Sequence, residues 1–102
     1  MWPAWYKPPT RSAPSIVDIV ATAFGVSLVE MRGSARSRHI VAARWAAIAI
    51  MRDFRGMSYP AIGRVLGGRD HSTIQHGYHQ RPYLFKRYPE FQDAHDIACA
   101  RV

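Results

Sequence analysis

Apolar residues recur at helical spacing along most of the chain from residue 15 onward. The first such segment runs from Ser15 to Phe24 and ends before a glycine. The next begins with Ser27-Leu-Val-Glu30, which has the spacing of a capping box, in which the serine and the glutamate satisfy each other's backbone N–H groups. The pattern therefore predicts a helix over 15–24 and a short helix from Ser27 to residue 31 or 32.

The broadest apolar face follows a small polar linker at residues 33–36. From about Ser37 to Arg55, large apolar side chains and alanines share one side of a helical projection, and Gly56 follows. Alanines allow close approach of neighbouring helices. This segment is predicted to be the central helix of the core.

Residues 58–80, SYPAIGRVLGGRDHSTIQHGYHQ, have the outline of a helix-turn-helix. Ser58 suits an N-cap and Pro60 fits the first helical turn. The glycine pair 67–68 should end that helix, because glycine readily adopts a left-handed backbone. Asp70 is predicted to cap a second helix that starts at His71. In such motifs the second helix enters the DNA major groove, with its first residues on base edges.

The C-terminal part is predicted to complete the helical domain. Pro82 is expected to end or kink the second helix of the motif after residue 80, which leaves 83–88 ambiguous. Pro89 should start a last amphipathic helix to about Arg101. The fold class is therefore all-α, with five to six helices over residues 15–102.

Residues 1–14 contain four prolines and no helical period, and they are predicted to form an extended tail. Their aromatic residues, Trp2, Trp5 and Tyr6, either pack back on the domain or meet a protein partner. We see no secretory signal and no membrane-spanning stretch, and the single Cys99 excludes an intramolecular disulfide. We expect a cytoplasmic, nucleoid-associated protein.

The charge of the chain favours an anionic partner. Its formal net charge is +7, and from Arg32 to Arg87 eleven basic residues face only two acidic ones. Arginine outnumbers lysine twelve to two, and its planar fork suits phosphate and guanine. Double-stranded DNA is the predicted partner, while a basic but merely solvated surface remains the alternative on charge alone.

The run Gly67-Gly-Arg-Asp-His-Ser-Thr73, preceded by Ile62-Gly63 and followed by His76, resembles a known family. It is similar to the C-terminal DNA-binding domain of the bacterial chromosomal replication initiator DnaA, over roughly residues 15–80. The basic segment 36–44 before the alanine-rich helix also resembles that family. The chain departs from the family pattern at Ala43, where proline is usual, at Trp45, where a polar residue is common, and at Ser72, where many members have threonine.

The resemblance implies a set of DNA contacts. Arg44 is expected in the minor groove, and base contacts are expected from Asp70, His71, Ser72 and Thr73, with Gln75 and His76 one turn further on. From local chemistry alone, Asp70 could serve only as a helix cap. The candidates for phosphate contact are Arg36, Arg38, Ser58, Arg64 and Arg69.

Other chemistry finds little support in the sequence. Although His71, His76 and His79 lie close together, no cysteine pair or recognised zinc spacing accompanies them, so no metal or other cofactor is predicted. A nuclease would need a second carboxylate near Asp70 to hold a catalytic metal. The full-length initiators carry an ATPase module, whereas this chain has no G-x-x-x-x-G-K-[ST] motif. We therefore expect a stand-alone DNA-binding domain that is not an enzyme.

These observations predict a monomeric protein that binds duplex DNA sequence-specifically and acts in transcription regulation or control of replication initiation. Two alternatives stay open at this point. The helix-turn-helix could be a degenerate scaffold for a protein-interaction module that contacts a replication or transcription protein through the aromatic tail. The chain could also be a nonspecific architectural DNA binder, which would bind any duplex equally.

Overall fold

The computed structural model describes residues 13–102 and contains six helices and no strands within that range. The helices are α1 (Ala13–Phe24), α2 (Leu28–Arg32), α3 (Arg38–Arg55), α4 (Tyr59–Val65), α5 (His71–Arg87) and α6 (Pro89–Arg101). The predicted all-α class with five to six helices is confirmed. The tail predicted over 1–14 lies outside the described residues, except that positions 13 and 14 already belong to α1.

Helix α3 is the centre of the domain, as its alanine-rich sequence predicts. All six residues from Ala46 to Met51 are buried, so this part of the helix is covered on every side. It packs against each of the other five helices. The predicted apolar face is not buried over its full length, because the Phe54 side chain near the C-terminus of α3 is 53% exposed. The alanines at positions 42, 43, 46, 47 and 49 are all buried, which fits the close helix contacts that the sequence predicts.

Short-range side-chain caps mark the starts of α2 and α4. The Ser27 hydroxyl accepts a hydrogen bond from the Glu30 backbone N–H at 3.0 Å, and the Glu30 carboxylate accepts from the Ser27 N–H at 2.9 Å. The predicted capping box is therefore present at the start of α2. At the start of α4, the Ser58 hydroxyl accepts from the Ala61 N–H at 3.2 Å. Each cap satisfies backbone donors that have no partner inside the helix.

Helix α5 continues through Pro82 to Arg87, so the predicted end of this helix at residue 80 is wrong, while the alternative that Pro82 kinks the helix stays a prediction. Proline removes one intrahelical hydrogen bond, which disfavours the helix locally. Packing beyond the proline opposes that effect. The Phe85 side chain is 1% exposed, and its ring lies 6.3 Å from that of Phe24 and 6.2 Å from that of Phe91. Burial of this aromatic cluster stabilises the last turns of α5.

The turn between α4 and α5 folds back on the first helix of the motif. The N–H groups of Gly68 and Arg69 both donate to the Gly63 carbonyl oxygen at 2.9 Å. Gly67 and Gly68 have φ values of 87° and 81°, the left-handed conformation predicted for this pair. The Gly67 backbone also lies against Arg32, since a Cβ at position 67 would be 2.4 Å from the Arg32 carbonyl oxygen. The turn is thereby packed against the end of α2.

Candidate nucleic-acid interface

The N-terminus of α5 presents a short polar surface. One oxygen of the Asp70 carboxylate accepts a hydrogen bond from the Ser72 backbone N–H at 2.9 Å, which confirms the predicted cap. This hydrogen bond is the main reason why the pKa of Asp70 is lowered from its ordinary value. The other carboxylate oxygen lies 3.7 Å from Nδ1 of His71. Asp70, His71, Ser72 and Thr73 are all exposed, so their remaining donors and acceptors are open to a ligand.

In the next turn of α5, two residues face the domain and two face the solvent. Ile74 and Gly77 are buried against the rest of the domain, whereas Gln75 and His76 are exposed. The helix is anchored closely, because a Cβ at Gly77 would lie 2.6 Å from the Trp45 ring of α3. The candidate base-contacting residues of α5 therefore share the solvent side of one firmly packed helix.

Arg44, the predicted minor-groove residue, is held by backbone carbonyl groups of the domain itself. Its side chain is only 7% exposed, and its guanidinium donates to the backbone carbonyl oxygens of Met31 (3.1 Å), Ala35 (2.6 Å), Glu30 (2.7 Å) and Gly33 (2.8 Å). Burial lowers the pKa of Arg44, and the neighbouring Arg69 charge lowers it further. Four of its five N–H donors are thus occupied within the domain, and the minor-groove contact expected of Arg44, which stays a prediction, would have to use the remaining one.

Arg69, for which a phosphate contact is predicted, is held in the same way. Its guanidinium donates to the backbone carbonyl oxygens of Leu66 and Gly33, with longer contacts of 3.5 Å to those of Met31 and Arg32. Partial burial lowers the pKa of Arg69. Helix C-termini leave carbonyl groups unpaired and carry partial negative charge, so they attract cations. Arg69 therefore ties the helix-turn-helix turn to the end of α2.

The other candidates for phosphate contact are exposed. Arg36 lies in the loop before α3, and Arg64 lies on the outer side of α4. The Ser58 hydroxyl is exposed but already serves as the α4 cap. Arg38 lies over the ring of Tyr88, with its guanidinium carbon 4.4 Å from the ring centroid. Tyr88 directly follows the last residue of α5, a helix about 25 Å long. Arg38 therefore lies near the end of α5 opposite to the exposed turn at 70–73.

An open groove of about 710 Å³ separates the 33–36 loop from the first two turns of α5. Four arginines line it, namely Arg32, Arg36, Arg44 and Arg69. Trp45, Thr73 and His76 also line it. Thus the fold brings together Arg36, Arg44, Arg69, Thr73 and His76 from the predicted set, while the remaining candidates lie outside the groove.

Two groove residues, Arg32 and Trp45, were missed as candidates. Arg32 is exposed, and its Nε donates to the Val65 carbonyl oxygen at 3.4 Å. Its place four residues before Arg36 in a basic segment could have indicated a role. Trp45 reads from the sequence as a core residue, and only the packing of α3 beside α5 brings it to the groove.

Comparison with known families identifies the family of this domain. The profile described as "Bacterial dnaA protein helix-turn-helix" matches residues 13–80, which include α1 to α4 and the first part of α5. The chain belongs to this DnaA helix-turn-helix family. The resemblance inferred from the GGRDH run is thereby confirmed, and the chain carries a DnaA-like DNA-binding domain.

The curated relatives of this DnaA-family chain are much longer proteins. The chromosomal replication initiator protein DnaA of Lachnoclostridium phytofermentans is 32% identical over 87 residues, which cover 85% of this chain and 19% of the relative. The DnaA of Levilactobacillus brevis is 38% identical over 79 residues, covering 78% and 18%, respectively. That of Chloroflexus aggregans is 39% identical over 66 residues, covering 65% and 14%. The chain therefore spans less than a fifth of each of these relatives.

Two further observations concern the described part of this DnaA-family domain. Among residues 13–102, no group of three or more His, Cys, Asp or Glu side chains is placed to hold a metal ion. None of the helices in that range is long and apolar enough to cross a membrane.

Proposed function

We propose that this domain binds double-stranded DNA sequence-specifically, with the N-terminus of α5 in the major groove. One observation carries the proposal: Asp70, His71, Ser72 and Thr73 are exposed together on a helix whose inner side is anchored by Ile74 and Gly77. Direct readout needs hydrogen-bonding side chains in a fixed position relative to the bases. A firmly packed helix with an open polar first turn meets that requirement.

The proposed base contacts divide by side-chain chemistry. Asp70 keeps one carboxylate oxygen for a cytosine amino group while the other caps the helix. The Thr73 methyl group suits a thymine methyl, and Gln75 can pair with adenine in a bidentate manner. His71, Ser72 and His76 complete the set through ring nitrogens and a hydroxyl, each of which can act as donor or acceptor.

The proposed phosphate contacts come from exposed cations around that helix. Arg36 and Arg64 are both exposed, and Ser58 adds an exposed hydroxyl at the start of α4. Arg38, which lies over Tyr88 at the other end of α5, would contact a phosphate further along the duplex. Such contacts orient the protein on the duplex and make affinity depend on salt, but they carry no sequence information. Arg44 and Arg69 are proposed to act indirectly, by holding the loop 33–36 and the turn before α5 in place.

Fluorescence anisotropy with an initiator-type box and a scrambled duplex of equal composition, at two salt concentrations, tests this function. We expect a preference of at least about a hundredfold for the box that persists at the higher salt. Equal, strongly salt-dependent binding would instead support the architectural alternative. If neither duplex bound, selection from random-sequence duplexes would decide between another target sequence and a protein-interaction module.

The biological process is proposed from the relatives. Those proteins are named chromosomal replication initiators, and this chain matches only their helix-turn-helix region. We infer that the domain acts on initiator-type sites, in control of replication initiation or of transcription. Genome-wide occupancy of the tagged protein in its host tests this inference, with enrichment expected at such sites.

A further inference from the structure

The groove beside α5 carries positive charge that no carboxylate neutralises. Its lining contains four arginines and no Asp or Glu. Within the described residues, none of these four arginines lies within 4.0 Å of a carboxylate, since the ion pair found there joins His71 and Asp70. Arg44 and Arg69 donate to backbone carbonyls, which are neutral groups, so their net charge remains. The groove therefore attracts an anion.

Trp45 lies in this groove with one polar group unused. The indole is half-buried, and its pyrrole side lies against Gly77, where a Cβ would be 2.7 Å from Nε1. Its ring centroid is 6.1 Å from that of His76, in an edge-on arrangement. No hydrogen bond joins Nε1 to any of the described residues, and Nε1 is not among their fully buried polar atoms. An indole N–H can only donate, so its natural partner is an acceptor from outside the domain.

We propose that one strand of the bound duplex runs through this groove and that Trp45 contacts its sugar-phosphate backbone, with the indole N–H donating to a phosphate oxygen. This proposal rests on the proposed placement of α5 in the major groove. The ligand is a phosphodiester of duplex DNA. Trp45 is thus assigned as a DNA-contacting residue in addition to the exposed polar residues of α5.

The position of the groove supports a strand as its occupant. The backbones of the two strands form the walls of the major groove, so a surface directly beside a recognition helix faces phosphates. Here one wall of the groove is formed by Thr73 and His76 of α5, and Arg36 lies in the loop on the other side. A strand between these walls would meet cations and the indole at once.

Trp45→Phe is the first test, because phenylalanine retains an aromatic ring beside Gly77 but has no N–H. We expect about tenfold weaker binding to the box and to the scrambled duplex alike. The salt dependence should stay unchanged, since the indole carries no charge. Tyr83→Phe is the matched control: it also removes one aromatic donor, but its side chain is 72% exposed and lies outside the groove. This control should bind as the unaltered protein does.

Tryptophan fluorescence provides a second test that needs no change at the groove. Replacing Trp2 and Trp5 by phenylalanine leaves Trp45 as the single tryptophan. Adding duplex should then alter the Trp45 emission and protect it from acrylamide quenching. Inorganic phosphate at matched ionic strength should leave both properties unchanged, because a free anion does not fill the groove as a strand does.

The outcomes separate this inference from the proposed function. If the unaltered protein prefers the box while Trp45→Phe binds equally well and Trp45 emission does not respond to duplex, the Trp45 assignment fails and the function stands. If inorganic phosphate reproduces the effect of duplex, the groove is a site for a free anion and the strand assignment fails. If the unaltered protein binds no duplex, both proposals fail. A thermal melt of Trp45→Phe at the unaltered midpoint excludes misfolding as the cause of weaker binding.

Discussion

Arg44 and Arg69 donate to the same two backbone carbonyl groups, those of Met31 and Gly33. One guanidinium comes from the central helix α3 and the other from the turn that precedes α5. Their shared acceptors lie at the end of the five-residue helix α2 and in the loop after it. Two cations thus bind the C-terminus of a helix too short to be stable alone. The pair joins α2, α3 and the helix-turn-helix turn into one unit.

This arrangement predicts that Arg69 contributes to folding as well as to any DNA contact. Arg69→Ala should lower the free energy of unfolding by about 1–3 kcal/mol, because it leaves partly buried carbonyl groups without donors. Arg64→Ala is the control, since Arg64 is exposed and should change stability by less than about 0.5 kcal/mol. Urea denaturation measures both. Equal stability of the two variants would mean that Arg69 has no structural role.

The close approach of α4 to the turn predicts a strong effect at Gly63. A Cβ at this position would lie 2.1 Å from the Arg69 carbonyl oxygen, which belongs to the backbone and cannot rotate away. Gly63→Ala should therefore cost about 3 kcal/mol of stability. At Gly68 a Cβ would meet nothing within 4 Å, and only its φ of +81° opposes a side chain. Gly68→Ala should cost about 1–2 kcal/mol, and a denaturation series that reversed this order would contradict the turn geometry.

The proposed division between base and phosphate contacts predicts two kinds of binding defect. His71→Ala should reduce discrimination between the box and a box with one altered base pair by about 1–3 kcal/mol. Arg64→Ala should weaken binding to all duplexes alike and reduce the slope of log affinity against log salt by about one. Anisotropy titrations at several salt concentrations distinguish the two. Unchanged relative affinities for His71→Ala would mean that this turn of α5 does not face the bases.

A buried histidine far from the DNA-binding surface predicts a pH dependence of stability. The His95 side chain is 9% exposed and packs edge-on against Phe85. Burial is the main reason why its pKa lies below the ordinary value of 6.5, and Arg81 lowers it further, while Asp96 and Asp53 act in the opposite direction. The folded state therefore favours the neutral ring more than the unfolded state does.

The sign of the effect follows from that difference. Stability from the neutral His95 is fully present above pH 6.5 and is lost as the pH falls through the lower pKa of the folded state. The melting temperature should thus fall between pH 7 and pH 5, and His95→Gln should reduce this fall. His39→Gln is the control for the substitution itself, because His39 is exposed whereas His95 is buried. If the melting temperature of His95→Gln fell as much as that of the unaltered protein, groups other than His95 would cause the pH dependence.

Local chemistry made several features of this domain predictable from the chain. The caps at Ser27, Ser58 and Asp70 each join atoms no more than three residues apart, so their partners can be identified in the sequence itself. The glycine pair 67–68 is similar, since a left-handed turn depends on the absence of a side chain at those positions. The starts of α2, α4 and α5 and the turn before α5 follow from such short-range rules.

Packing between distant segments decided the rest. The sequence indicates a DNA contact for Arg44, but the acceptors of its guanidinium lie 9 to 14 residues away, and those of Arg69 on α2 and its loop lie 36 to 38 residues away. The continuation of α5 past Pro82 likewise depends on the burial of Phe85 beside Phe24 and Phe91. Hydrogen bonds and burial of this kind exist only once the helices have assembled, because the free energy of each side chain depends on partners that its neighbours in the sequence do not specify.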